Sequence, residues 1–307
     1  MKKIDKVILS ICIYLILIGL LGWFVWGHQR LFSFSLPIDF GGFGTLGDFV
    51  GGIFGTLFAA LAVYFAWVTF KKETIKTRFY EMLKSHRENV ARIQIPNMDV
   101  FEKYIAVLSE IYDTVLKELD GKNYSDEEIF KLSYLFFFYG TELNSETTST
   151  LLTKGNEKEK SIDCEDIDYV KSYFTTNNIS LQGYANDLGI YFRQLYQTVT
   201  FIDKQSSLWL SYDDKYEYIK SLRVCLNINE QYLLFLNSLS TLGMVWEMSK
   251  EKDNDKLITK YNLLKNIPES YKEKFKNLNF EDKYPHIYYE YMGTEKIKRE
   301  RNGKKYK

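Results

Sequence analysis

The sequence predicts an all-α protein: an N-terminal two-helix transmembrane hairpin followed by a helical cytosolic domain. Three observations predict it. Two uncharged apolar runs, Val7–Trp26 and Phe49–Phe70, open the chain, and each is long enough to cross a hydrocarbon core of ~30 Å as a helix. From residue 71 onward, apolar residues recur at helical spacing with no alternating strand pattern between them. Only four prolines occur and glycine is concentrated near the N-terminus, so few residues break helices further on. The organisation so read is a transmembrane hairpin over 1–70, a cytosolic domain over 71–293 and a basic tail over 294–307.

A secretory signal is the competing reading of the first run, which has the basic start Lys2, Lys3 and Lys6. Its length exceeds the usual apolar core of ~7–15 residues, and no A-x-A-like site follows. Gly27, His28, Gln29 and Arg30 lead instead into a short loop. Lys71, Lys72, Lys76 and Arg78 follow the second run, while the loop holds Arg30 with Asp39 and Asp48. Basic flanks stay inside, which predicts cytoplasmic termini and a lipid bilayer as partner. Gly47, Gly51, Gly55 and Ala59 recur every fourth residue. Such a stripe lets two helices approach closely, either within the hairpin or in a homo-oligomer. Asp48 falls at the membrane interface.

The cytosolic elements follow in order. Phe79, Met82, Leu83, His86, Val90 and Ile93 continue the second run as a helix that Pro96 ends. Asp99 to Glu102 resembles a capping box opening a helix to about residue 119, and Ser125 to Glu128 a second one before the apolar Ile129–Tyr139. Residues 140–166 are polar and aperiodic, which predicts a long loop. Tyr184, Leu188, Tyr191, Phe192, Leu195, Val199 and Ile202 form one stripe of a helix over 182–203. Ser211 and Asp213 start another, with Tyr212, Tyr216, Ile219, Arg223 and Leu226 on one face. Asn227 caps a helix over 230–243 that is apolar almost all round and therefore central. Amphipathic segments follow over 252–265 and 269–277.

Formal net charge is zero, so no general nucleic-acid affinity is implied. The three cysteines, Cys12, Cys164 and Cys225, are scattered and form neither a disulfide framework nor a zinc pattern. With three histidines in the chain, no metal site and no cofactor is predicted, and no catalytic constellation is legible.

Five polar residues stand out as a candidate functional or buried network. His86 lies on the apolar face of its helix, as a satisfied core histidine or as a general base lacking a visible partner. Arg223 shares a face with Tyr216, and Glu230 and Asn237 fall seven apart on the central helix. A buried guanidinium needs a carboxylate and further hydrogen bonds, so Arg223 is expected to pair with Glu230, either to fix register or to shape an anion pocket. Arg193 lies opposite the stripe of its helix, solvated or facing a partner. The tail from Glu295 holds seven basic residues against two glutamates, a solubilising end or a contact with an anionic leaflet.

Several stretches resemble a known family, the bacterial phage abortive infection proteins of the lactococcal AbiC type. They are Gly47-Asp-Phe-Val-Gly-Gly52 with Gly55-Thr56, Arg78-Phe-Tyr-Glu-Met-Leu83 through His86, Tyr191-Phe-Arg-Gln-Leu-Tyr196, Leu222-Arg223, Asn229-Glu-Gln231 with Leu233-Leu234 and Asn237, and Tyr261-Asn-Leu-Leu264. Residues 97–180 carry none of the resemblance. It implies antiphage defence by arrest or death of the infected cell. Joined to the hairpin reading, this predicts a sensor or effector at the inner membrane, with a phage protein as a candidate trigger. It supplies no catalytic mechanism. The alternatives are a membrane-tethered enzyme of nuclease type and a membrane scaffold. The R-x4–6-H spacing of helical RNases is missed, because seven residues separate Arg78 from His86.

Overall fold

The computed structural model describes residues 40–142, 144–153, 162–247, 256–275 and 277–293, together with most of 11–23. The described residues are helical, with no strand and one isolated bridge between Ile95 and Met98. Contacts divide the chain into two units, Met1–Glu73 and Thr74–Lys307.

In the first unit, the described residues between 11 and 23 are helical. Helix α1 runs Phe40–Ile93 and crosses the division. It begins ahead of the apolar run, so the glycine-rich stretch 40–48, read as loop and entry, is helix. A helix satisfies its own backbone hydrogen bonds, which matters most where no water can. Over Gly51–Ile93 this is the one helix among the described residues long and apolar enough to cross a membrane; its most apolar stretch has mean hydropathy 1.9 and is not buried. Phe54 packs on the backbone of Gly19, where a Cβ would lie 2.5 Å from Cζ. A Cβ on Gly51 or Gly55 would meet nothing within 4 Å among the described residues, so the helix face is open at these two positions. The surroundings of Gly47 and the connection 24–39 lie outside the described residues, and a hairpin is not established.

In the second unit, Ile75, Phe79, Leu83 and His86 of α1 are buried along one stripe. Asp99, whose side chain accepts from Phe101 N–H at 3.0 Å, caps α2 (Val100–Glu118). A reciprocal box between Ser125 and Glu128 opens α3 (Asp126–Tyr139). α2 packs along α3 and also against α8 (Ile228–Leu239), whose residues Glu230 to Ser238 are all buried. That is the central helix expected from its unbroken apolar run.

The long loop predicted over 140–166 is corrected. It contains α4 (Ser145–Thr153) and the start of α5 (Cys164–Thr176), which pack on each other. Thr148, Thr150 and Thr153 bond carbonyls three or four residues back. Buried Thr148 and Leu152 fasten α4 to the body. Tertiary contact here overrides weak propensity. α6 (Ala185–Asp203) starts three residues later than predicted and buries the predicted stripe from Leu188 to Ile202; Tyr184 precedes it and is half-buried. α7 (Tyr212–Val224) starts at a Ser211–Asp214 capping box. Of the segment 252–265 only α9 (Leu257–Tyr261) is helical among the described residues, and 269–277 holds a short 3-10 turn, Glu269–Glu273. A last helix, α10 (Phe280–Lys283), follows. The basic tail lies outside the described residues.

One backbone crossing places α6. α3 ends at Gly140 (φ 75°, ψ −163°), and the chain returns across it at Gly183 (φ 73°). Tyr184 N–H donates to the carbonyl of Phe138 at 2.9 Å and Thr141 N–H to that of Leu181 at 3.4 Å. The entry to α6 thus closes the open end of α3.

Candidate functional site

The five polar residues separate into three places. His86 is buried against Tyr191, ring centroids 5.0 Å apart. Neither ring nitrogen has a hydrogen-bond partner among the described groups, so it is not the satisfied histidine expected, nor is it paired with an acid or nucleophile. Burial lowers its pKa to about 4, which leaves the ring neutral. Tyr191 donates to Glu230 Oε1 at 3.1 Å, and the Asn227 N–H donates to Oε2 at 2.8 Å within the box that opens α8. Burial, with Asp99 adding repulsion, raises Glu230 to about 7 despite these bonds. Asp99 in turn accepts from Asn229 and Asn227, tying the start of α2 to the start of α8.

Arg223 does not pair with Glu230; this expectation is corrected. Its Nη1 donates to the carbonyls of Asn262 at 2.9 Å and Tyr261 at 3.3 Å, and its guanidinium lies 5.9 Å from the centre of the Tyr216 ring. α7 ends at Val224 and α8 begins at Ile228, so the two side chains leave the turn toward different elements. Arg223 caps the C-terminal end of α9, where a cation suits the helix dipole. Asn262 there is left-handed (φ 54°) and exchanges two hydrogen bonds with the backbone of Tyr288.

The third place is a cavity of about 440 Å³ that brings Arg193 and Asn237 together. Its walls come from the end of α3, one face of α6 and the chain after α8. Phe138, Phe192, Tyr196, Val245 and Trp246 are among its apolar lining residues, and Tyr196 meets Trp246 edge to face. Asn237 is buried and its Nδ2 donates to the Tyr134 hydroxyl at 2.8 Å. The chain passes so near that a Cβ on Gly243 would lie 2.1 Å from the Asn237 carbonyl oxygen. Arg193 is exposed, its Nε bonded to the carbonyl of Gly189 at 2.8 Å. Gly189 and Trp246 are site residues that the sequence did not single out; the lone glycine inside a helical pattern was the available signal. Among the described residues, no cluster of His, Cys, Asp and Glu could hold a metal ion.

The two buried titrating groups predict opposite pH slopes. His86 binds a proton less readily when folded, so its contribution to stability is lost as pH falls from about 6.5 to about 4. Glu230 binds one more readily, so its contribution is lost as pH rises from about 4.5 to about 7. Each shift is worth roughly 3 kcal/mol, and the two offset over the shared window. Melting of the full chain in detergent between pH 4.5 and 7.5 should separate them. Relative to the unsubstituted chain, Glu230→Gln should gain stability as pH rises, and His86→Phe should lose it. Identical pH profiles for all three proteins would show that neither group titrates differently on folding.

No curated protein and no solved structure matches the chain. A family model matches residues 183–272, which include every wall residue of the cavity except Phe138 and Tyr139. That model is of the family described as putative phage abortive infection protein, and over this segment the chain is similar to it.

Proposed function

We propose that this chain is a bacterial membrane-anchored defence protein that acts by abortive infection, sensing phage infection or executing the response beside the bilayer. The supporting observation is a coincidence: the family segment is also the segment that builds the cavity around Arg193 and Asn237. Anchoring is supported by the uncovered apolar surface of α1, where Ile53, Phe58, Val63, Phe65, Trp67 and Phe70 are exposed. Such a surface suits hydrocarbon and not water. The basic flanks support two spans in the inner membrane with both termini in the cytoplasm. Open space at Gly51 and Gly55 supports packing against a second copy. His86, without a polar partner, gives the nuclease reading no support.

Plaque counts on cells with and without the gene test the role, read beside a membrane-potential dye and total RNA. The expected result is fewer plaques, with loss of potential in infected cells. RNA decay at intact potential would favour the tethered nuclease. Unchanged plaque numbers across a broad phage panel would sink the defence reading. Gly51→Leu should remove crosslinked oligomer bands in membranes; unchanged bands would exclude self-association through that face.

A further inference from the structure

We propose that the cavity beside α6 binds a nucleoside monophosphate, its phosphate on Arg193, its base against the aromatic walls and a base N–H on Asn237. This deepens the proposed function, since it names the kind of signal the family segment would read.

The volume of about 440 Å³ lies in the range of small-molecule sites and is too small for an element of a partner protein. The charge balance is one-sided. Arg193 is the one charged residue among the described wall residues. Its Nε is held by the Gly189 carbonyl, and its terminal nitrogens have no partner among the described groups. That bond draws the side chain back along α6, so Nη2 lies 3.6 Å from the point a Gly189 Cβ would occupy, with Phe138 Cζ 3.7 Å from the same point. The guanidinium therefore sits over the cavity floor with its fork unused. A planar fork of this kind matches phosphate in two parallel hydrogen bonds.

The second observation is independent of the first. Asn237 is 3% exposed, and its Nδ2 is taken by Tyr134. Its Oδ1, beside Gly243, receives no hydrogen bond from a described group. Asn237 lines the cavity, and its side-chain oxygen is an acceptor with room for an N–H from a ligand. Tyr196, partly exposed, offers its ring to a flat ring, with the buried Trp246 edge to face beside it. Flat, bearing an N–H donor and joined to a phosphate: these three demands describe a nucleotide. A fatty acid lacks the donor, and inorganic phosphate fills a small part of the space.

The test uses the full chain in detergent, titrated with AMP, GMP, CMP and UMP, with their nucleosides and with inorganic phosphate, by calorimetry. At least one nucleotide should bind saturably; its nucleoside, which lacks the charge-assisted bond, and free phosphate, which lacks the base contacts, should each bind about tenfold or more weaker. Arg193→Ala should weaken binding by about tenfold to a hundredfold, and Arg193→Lys should restore part of it. Gly189→Leu, whose Cβ fits at ordinary contact distance, should fill the floor and abolish binding with melting unchanged. Failure of all four nucleotides to bind up to millimolar concentration overturns the proposal, and so does binding that both variants leave intact. Plaque assays on the same variants keep the two readings apart. A chain that protects cells but binds no nucleotide refutes the ligand alone. A chain that binds one but never protects refutes the defence role alone.

Discussion

Alanine at Gly140 or at Gly183 is expected to lower the melting temperature by about 10 °C, from one added methyl group. Two costs combine. Both residues have positive φ, 75° and 73°, and Gly140, with ψ −163°, lies in a region that is essentially glycine's own, at roughly 1–3 kcal/mol for other residues. The added carbon also meets backbone: 2.2 Å from the Leu181 carbonyl oxygen at Gly140, and 2.5 Å from the Tyr139 carbonyl carbon at Gly183. Backbone cannot rotate away as a side chain can. A total of about 3 kcal/mol or more corresponds to roughly 2–4 °C per kcal/mol in a domain of this size. Gly121 is the control, because it shares the positive φ of 80° but its Cβ would meet nothing within 4 Å. Gly121→Ala should therefore show strain alone, with a smaller shift. Equal shifts at all three positions would show that the close crossing contributes nothing.

Arg223→Met is expected to cost about as much, and Glu230→Met is expected not to rescue it. The guanidinium donates to two carbonyls in the interior, Tyr261 and Asn262; Asn262 keeps the Lys265 N–H at 3.3 Å, but the Tyr261 carbonyl loses this donor, at roughly 1–3 kcal/mol, and the packing of the buried side chain is lost with it. Glu230→Met separately leaves the Asn227 N–H and the Tyr191 hydroxyl without their acceptor. Because neither residue is the other's partner, the double variant should melt near the sum of the two losses. Recovery of stability in the double variant would instead reveal an ion pair in solution. Thermal melting of the four proteins in one buffer decides it.

What was legible in the sequence, and what was not, follows the range of the forces involved. The α6 stripe and the α8 apolar run declared themselves because periodicity is local and both faces are decided by burial. Ser125 and Asn227 announced their helices because a capping box is closed within four residues. α4 was missed because Thr148, Thr150 and Thr153 carry poor helix propensity and are held by packing on α5. The Arg223–Glu230 pairing misled because closeness in sequence across a turn does not fix where a long side chain goes. Arg193 and Asn237 were each picked out, yet nothing in the sequence could join them. Their meeting depends on the Gly140–Gly183 crossing and on Gly243, positions where the missing side chain is the information. The first apolar run and the tail fall wholly or partly outside the described residues.

The position of α8 bears on how this family can be taken apart. Its residues are buried on all sides, and α2 and α3, which cover it, lie outside residues 183–272. The stretch that the family model matches is therefore not closed on itself. Excised alone, it would uncover the side of this buried apolar helix that packs on α2 and α3, an aggregating surface and not a soluble module. The matched segment and the folding unit have different borders in this chain: the central helix lies inside 183–272, and α2 and α3, which pack on it, lie outside.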